Sequence, residues 1–153
     1  MRHLRVEASA IVPAPRPVVY DLIADYKVGH PSILPSKYFE NLVVDEGGRG
    51  AGTRIHYTMK AFGSKETSYA YVTEPEPGRV LVETVEGRGI VTTFTVDPLS
   101  GAQCRVTFVT EYPTSGVRGW IESLIVPGYL RKVYAAELAQ LSERAMAIHR
   151  GGT

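Results

Sequence analysis

Residues 129–149 read YLRKVYAAELAQLSERAMAIH, and the spacing within this stretch decides the fold. Leu130, Tyr134, Leu138, Leu141, Ala145 and Ile148 recur at steps of four, four, three, four and three. That is the apolar stripe of an amphipathic helix, with Arg131, Lys132, Gln140, Glu143 and Arg144 on the wet side. A continuous helix from Val117 to His149 would span about 50 Å, whereas a compact chain of this size has a radius of gyration of about 15 Å. Pro127-Gly128 lies where a break would relieve that mismatch, because proline removes a helical hydrogen bond and clashes with the preceding turn. The sequence therefore predicts a short segment carrying Trp120 and Leu124, then the long helix.

Upstream of this helix the pattern is mostly strand. Leu4 to Ile11 alternates polar and apolar residues, and Val12-Pro13-Ala14-Pro15 ends it. Arg16-Pro17 opens a short helix through about Ala24, with Val18, Leu22 and Ile23 on its inner face. Asp25 to Ser36, with Gly29, Pro31 and Pro35, has room only for a broken helix or a loop. Strands are expected at Phe39–Asp45, Thr53–Phe62, Lys65–Thr73, Arg79–Glu86, Ile90–Val96 and Gln103–Tyr112, separated by glycine-rich turns and by Asp97-Pro98-Leu99-Ser100-Gly101. The class is α+β: a seven-stranded curved antiparallel sheet wrapped around one long C-terminal helix, with two short helices between strands 1 and 2. A sheet bent around one helix leaves unfilled space, and such space is where small-molecule sites form.

The 153 residues suit one domain over 1–150, burying roughly two-thirds of its unfolded surface, with 151–153 as a disordered tail. The charge is +1 from 17 basic and 16 acidic residues without a basic stripe, which argues against nucleic acid as a partner. No apolar run approaches the roughly 18 residues of a membrane span. The start alternates like a strand and lacks the apolar core of a signal peptide, so a soluble cytoplasmic protein is expected. The single cysteine, Cys104, excludes an intramolecular disulfide and reads as a small buried hydrophobe. His3, His30, His56 and His149 have no metal-ligand spacing, and Asp21 and Asp25 read as a solvated edge and a helix terminus, so no metal is expected. Gly47 to Gly52 lies between two strands rather than before a helix, which argues against a phosphate cradle; no cofactor is implied.

The order of elements and four short motifs carry a resemblance across nearly the whole chain. They are Val12-Pro13-Ala14-Pro15-Arg16-Pro17-Val18-Val19-Tyr20-Asp21-Leu22-Ile23-Ala24-Asp25, Gly50-Ala51-Gly52-Thr53, Val72-Thr73-Glu74-Pro75-Glu76-Pro77-Gly78-Arg79, and Gly101 followed by Cys104-Arg105-Val106-Thr107. In these the chain resembles the START-like, or SRPBCC, superfamily with its helix-grip fold, including the polyketide cyclase/dehydrase and lipid-transport-like branch. The resemblance implies carriage or sensing of a hydrophobic ligand.

Strand parity narrows the cavity lining. If Gly63-Ser64 is a two-residue turn, Ile55, Tyr57 and Met59 share a face with Val72, Ala70 and Ser68, the more apolar and hence inner face. A two-residue turn within Gly87-Arg88-Gly89 places Leu81, Glu83 and Val85 with Thr92, Phe94 and Val96, and so Glu83 inside; a three-residue loop would put Glu83 in solvent. Val106, Phe108, Thr110 and Tyr112 form the inner set of the last strand. The candidate ligand-binding residues are Tyr57, Met59, Leu81, Glu83, Phe94, Phe108, Trp120, Leu124, Leu130 and Tyr134. Tyr57 and Tyr134 offer hydroxyls to orient a ligand, and Trp120 could close one cavity end.

Glu83 is the single catalytic candidate, since a carboxyl facing an apolar cavity can serve as an acid or base. Access is expected near Gly29 to Pro35 and the hairpin tips. A carrier or sensor of a lipid, isoprenoid or polyketide-like aromatic is the favoured function. An aromatase/cyclase-like enzyme is the alternative, with Glu83, Tyr57 or Tyr134 as acid/base groups. A third class, a protein-interaction adaptor, would require a filled interior and an exposed apolar patch; the sequence names no protein partner.

Overall fold

The computed structural model describes residues 2–114 and 116–151; of Arg2 and residues 116–123 it describes the backbone alone. In chain order the elements are β1 (Arg2–Val12), α1 (Arg16–Ala24), α2 (Gly29–Ile33), β2 (Phe39–Glu46), β3 (Arg54–Ala61), β4 (Ser64–Glu76), β5 (Val80–Val85), β6 (Ile90–Ser100), β7 (Gln103–Thr114) and α3 (Gly116–Arg150). The strands form one antiparallel sheet in the order β1-β7-β6-β5-β4-β3-β2, so the first two strands of the chain are its edges. Helix α3 packs on β1, β7, α1 and α2. Its buried positions are Val133, Tyr134, Glu137, Leu138, Leu141 and Ala145, while Ile148 at its end is exposed.

The expected break at Pro127-Gly128 is absent: α3 runs as one helix of 35 residues with Pro127 inside it. Proline deprives a helix of one N–H and strains one turn, which kinks a helix more readily than it ends one. A helix of this length fits because not all of it lies on the packed body: Leu124 and Ile125 near its start are exposed. The turn read at Asp97 to Gly101 is also shorter than expected. β6 continues through Pro98 to Ser100, with a register shift between them, and Ser100 pairs with Gln103. Proline is tolerated within a strand beside such an irregularity.

Both hairpins preserve the expected faces by different routes. Ala61 pairs with Ser64, so the turn is Phe62-Gly63 rather than Gly63-Ser64. Every pairing moves by two residues, and a shift of two keeps each side chain on its face. Val85 pairs with Ile90 across a four-residue loop, whose parity matches that of a two-residue turn; Glu83 therefore stands opposite Thr92 and points inward.

A short linker holds α2 beneath the sheet. The Asp25 carboxylate accepts backbone N–H bonds from Lys27, Val28 and Gly29 at 3.1, 3.3 and 3.2 Å, and the His30 N–H reaches the Asp25 carbonyl at 2.7 Å. Burial pushes the Asp25 carboxyl up, but the N–H bonds from Gly29, Lys27 and Val28 outweigh it and hold the group below its ordinary range. The glycine-rich loop before β3 braces the same linker, with Gly48 O accepting from Tyr26 N at 2.8 Å and Gly50 N donating to Ala24 O at 2.9 Å. Thus Asp21 pairs with Arg49, whereas the Asp25 carboxylate holds the N–H groups that lead into α2.

Gly29 permits the closest approach of α2 to α1. A Cβ there would lie 2.7 Å from Leu22 O and 3.0 Å from Leu22 Cα, both backbone atoms that cannot swing aside. Gly29→Ala is expected to cost about 1–3 kcal/mol of stability through this overpacking. Urea denaturation compared with the parent protein checks it; an unchanged midpoint would mean that α2 can shift freely.

Candidate functional site

A cavity of about 410 Å³ lies between α3 and the inner face of the sheet. The helix sits toward the β1–β7 side, so the inner faces of β3 to β6 curl across to it without filling the space between. Phe39, Ile55, Met59, Ile90 and Leu130 form apolar walls. One end is buried and polar, formed by Glu83, His30, Glu137 and Tyr57, with the hydroxyls of Tyr134 and Thr110 beside them. The other end opens at an exposed rim that includes Phe62, Ser64, Glu66, Arg88 and Ile125.

At the buried end, the Tyr26 hydroxyl donates a short hydrogen bond to Glu83 Oε2, and His30 Nε2 lies 3.5 Å from the same oxygen. His30 Nδ1 is 2.7 Å from Ile23 O. A carbonyl only accepts, so Nδ1 carries the proton and Nε2 is the nitrogen presented to Glu83. The imidazole is clamped by stacking on Tyr26, with centroids 4.4 Å apart, and by the edge contact of Phe94 at 5.7 Å. Burial and the charge of Glu83 push the Tyr26 hydroxyl well above its ordinary range, so it acts as a donor.

Glu137 enters from the helix side. It is 2% exposed, lines the cavity, and makes no hydrogen bond or ion pair with another described residue. Burial, reinforced by the charge of Glu83, raises its carboxyl well above the ordinary carboxylate range, so it resists ionisation. Tyr134 is tied through its hydroxyl to Thr110, which in turn contacts Thr92 Oγ1 at 2.8 Å. Burial pushes the Tyr134 hydroxyl up to about 12, and burial likewise raises Tyr57.

Of the residues expected to line the cavity, Tyr57, Met59, Glu83, Phe94, Leu130 and Tyr134 do. Leu81 and Phe108 do not: both are fully buried in the packed core, and Phe108 is boxed between Phe94 at 4.8 Å and Tyr134 at 5.7 Å. Leu124 is 65% exposed. Because α3 is unbroken, the helical phase set by Leu130 carries Ile125 and Val126, not Leu124, onto the cavity. The Trp120 side chain lies outside the described residues.

The spacing method missed Tyr26, His30 and Glu137. Glu137 was within reach of it, seven residues after Leu130 and three after Tyr134, on the apolar stripe itself. The expected access point at Gly29 to Pro35 is only partly met, since Gly29, His30 and Ile33 are buried and Leu34 alone of that segment's apolar residues lines the cavity beside His30. The β3–β4 turn does reach the rim. Phe62 and Gly63 have φ of 51° and 77°, the pair of positive values required by a tight type I′ turn. For a phenylalanine that conformation costs about 1–2 kcal/mol. It holds the Phe62 ring 4.7 Å from that of Tyr129, whose hydroxyl bonds Lys60 O, over the cavity mouth.

This geometry agrees with what the chain is similar to. Residues 3–146 match the family described as polyketide cyclase / dehydrase and lipid transport, and the chain belongs to that family. Its fold is the helix-grip fold of the START/SRPBCC superfamily. The NMR structure of KanY protein superposes with a TM-score of 0.82 at 24% identity, over 95% of this chain and 99% of the other. A Thermus thermophilus crystal structure gives 0.79 at 25% identity, again over 95% and 99%. Zhui aromatase/cyclase from a Streptomyces species gives 0.77 at 17% identity, over 95% of each chain. Among curated proteins, none matches. Family and fold together are consistent with binding of a hydrophobic ligand, and no helix among the described residues is long and apolar enough to cross a membrane.

Two outcomes follow from the site. A carboxyl whose folded pKa lies above its unfolded value binds a proton more tightly when folded, so it costs stability increasingly as pH rises past the unfolded value, by at most about 1.4 kcal/mol per pH unit. Glu137→Gln removes that penalty: thermal melts should coincide with the parent near pH 4 and exceed it increasingly toward neutral pH. Phe62→Asn replaces a strained residue by one that tolerates positive φ. It should keep or raise the melting temperature while speeding exchange of a hydrophobic dye such as Nile red, measured by stopped-flow fluorescence.

Proposed function

We propose that the protein binds a hydrophobic small molecule, such as a lipid, isoprenoid or polyketide-like aromatic, between the sheet and α3, as a carrier or sensor. The observation that carries this proposal is the asymmetry of the cavity: apolar walls leading from an exposed rim to a buried polar end. A volume of about 410 Å³ lies within the ~300–1,000 Å³ range of small-molecule sites. An amphiphile fits that gradient, with its body on Phe39, Met59 and Leu130 and its polar head on Glu83 and His30. A cavity of this size does not favour an adaptor, for which a filled interior was expected.

The contact of Glu83 with His30 favours a second reading, an enzyme resembling an aromatase/cyclase. An ionised Glu83 can take a proton from a carbon next to a carbonyl and become the acid, with His30 Nε2 beside it as acceptor of that proton, while a hydroxyl such as that of Tyr57 donates a hydrogen bond to the developing oxygen charge. Holding a flexible chain folded in the cavity would contribute several kcal/mol, roughly 7–11 at best, to an intramolecular condensation.

Native mass spectrometry of the purified protein, followed by organic extraction, tests the binding proposal. A reproducible lipophilic adduct is expected; a clean apoprotein mass combined with failure to take up lipids, isoprenoids or aromatic polyketones would contradict it. Glu83→Gln separates the two readings once a ligand is known. Loss of turnover with binding retained marks catalysis, whereas an adduct recovered chemically unchanged from both proteins marks carriage.

A further inference from the structure

At the polar end of the cavity the described residues bring two carboxyls together with neither lysine nor arginine between them, and we propose that it receives a basic nitrogen: the head of the ligand is a protonated amine seated between Glu137 and Glu83. This rests on the cavity-binding function above and names the ligand class.

Glu137 is a carboxyl more than nine-tenths buried, facing the cavity, with no hydrogen-bond or ion-pair partner among the described residues. Buried polar groups of a folded protein are ordinarily satisfied, and one left open toward a cavity points to what fills the cavity. Glu83 supplies a second carboxyl, and only its Oε2 is engaged by Tyr26 and His30; Oε1 takes no part in those contacts. Tyr57, Phe94 and Tyr134 add aromatic rings to the same lining, and ring faces attract cations.

The groups facing Glu137 come from every side. Glu83 stands on β5, Tyr57 on β3, Tyr134 on α3 itself, His30 on α2, and Tyr26 on the linker before α2. Arg88, in the β5–β6 turn, is the one guanidinium on the described lining, and it sits at the rim bound to Glu66 and Ser68. An anionic head would meet the charge of Glu83, and a purely apolar head would leave Glu137 stranded. An ammonium meets both needs. Burial makes Glu137 resist ionisation in the empty cavity; wherever it still holds its proton, arrival of R–NH₃⁺ forms the ion pair and sends that proton to solvent, so charge is conserved in the cavity. Affinity for an amine should therefore rise with pH up to the range where the amine itself loses its proton.

The test uses the full chain and three probes sharing one ring system: naphthalen-2-ylmethylamine, its neutral isostere 2-ethylnaphthalene, and 2-naphthoate. Calorimetry near pH 7.5, repeated in two buffers of different ionisation enthalpy, reads both affinity and proton release. The amine is expected to bind at least about tenfold more tightly than 2-ethylnaphthalene, with net release of protons, and 2-naphthoate is expected to bind worst. Glu137→Gln should abolish the preference for the amine over the neutral probe, and Glu137→Asp should retain it. Equal binding of amine and 2-ethylnaphthalene by the parent overturns the amine assignment while leaving the cavity function standing. A preference that survives in Glu137→Gln also overturns it. Failure of all three probes to bind overturns the amine assignment, and the cavity function falls with it only if lipids, isoprenoids and aromatic polyketones also fail to bind.

Discussion

One helix must cover one side of a seven-stranded sheet, and it is too narrow to do so. Seven strands spaced by about 4.8 Å make a sheet nearly 30 Å across, whereas a helix with its side chains is about 10–12 Å wide. The sheet can protect its inner face only by curling, and α3 rests on the β1–β7 side of that curl. Helices α1 and α2 cover part of the remainder. What neither helix fills is the cavity, so the ligand site is a consequence of the layer arithmetic rather than an addition to it.

The polar end is built by bringing three separate pieces of chain to one place. Strand parity turns Glu83 inward, helical phase turns Glu137 inward, and the capped linker at Asp25 delivers His30. The supports are specific. Asp25 organises the first N–H groups of α2, Gly48 and Gly50 brace the linker, and Ile23 O orients the imidazole. A core built for stability alone would place leucine at position 137. Retaining an unpaired carboxyl there destabilises the folded chain unless something else offsets it. Such a conflict between local stability and residue choice is where function is to be sought.

Much of this was legible in the sequence because its periodicities are robust to small errors. The β3–β4 turn was placed one residue late, yet the resulting shift of two in the pairing left Tyr57 and Met59 on the inner face. Glu83 survived likewise, because a four-residue loop and a two-residue turn share parity. The features that were not legible depend on how elements meet. No spacing links His30 to Glu83, which lie 53 residues apart and meet only through the packing of α2 against α1 and α3. Leu124 was misplaced because a break assumed at Pro127 released its phase from that of Leu130. Glu137 lay on the stripe, but counting apolar residues alone steps over a glutamate.

The polar end depends most on the Glu137 carboxyl resisting ionisation in the cavity, without a partner among the described residues. Carbon-detected NMR of the glutamate side-chain carboxyls, recorded against pH on the ligand-free protein, observes this directly. The Glu137 carboxyl is expected to titrate well above the ordinary carboxylate range. A Glu137 signal that titrates within that ordinary range would contradict it.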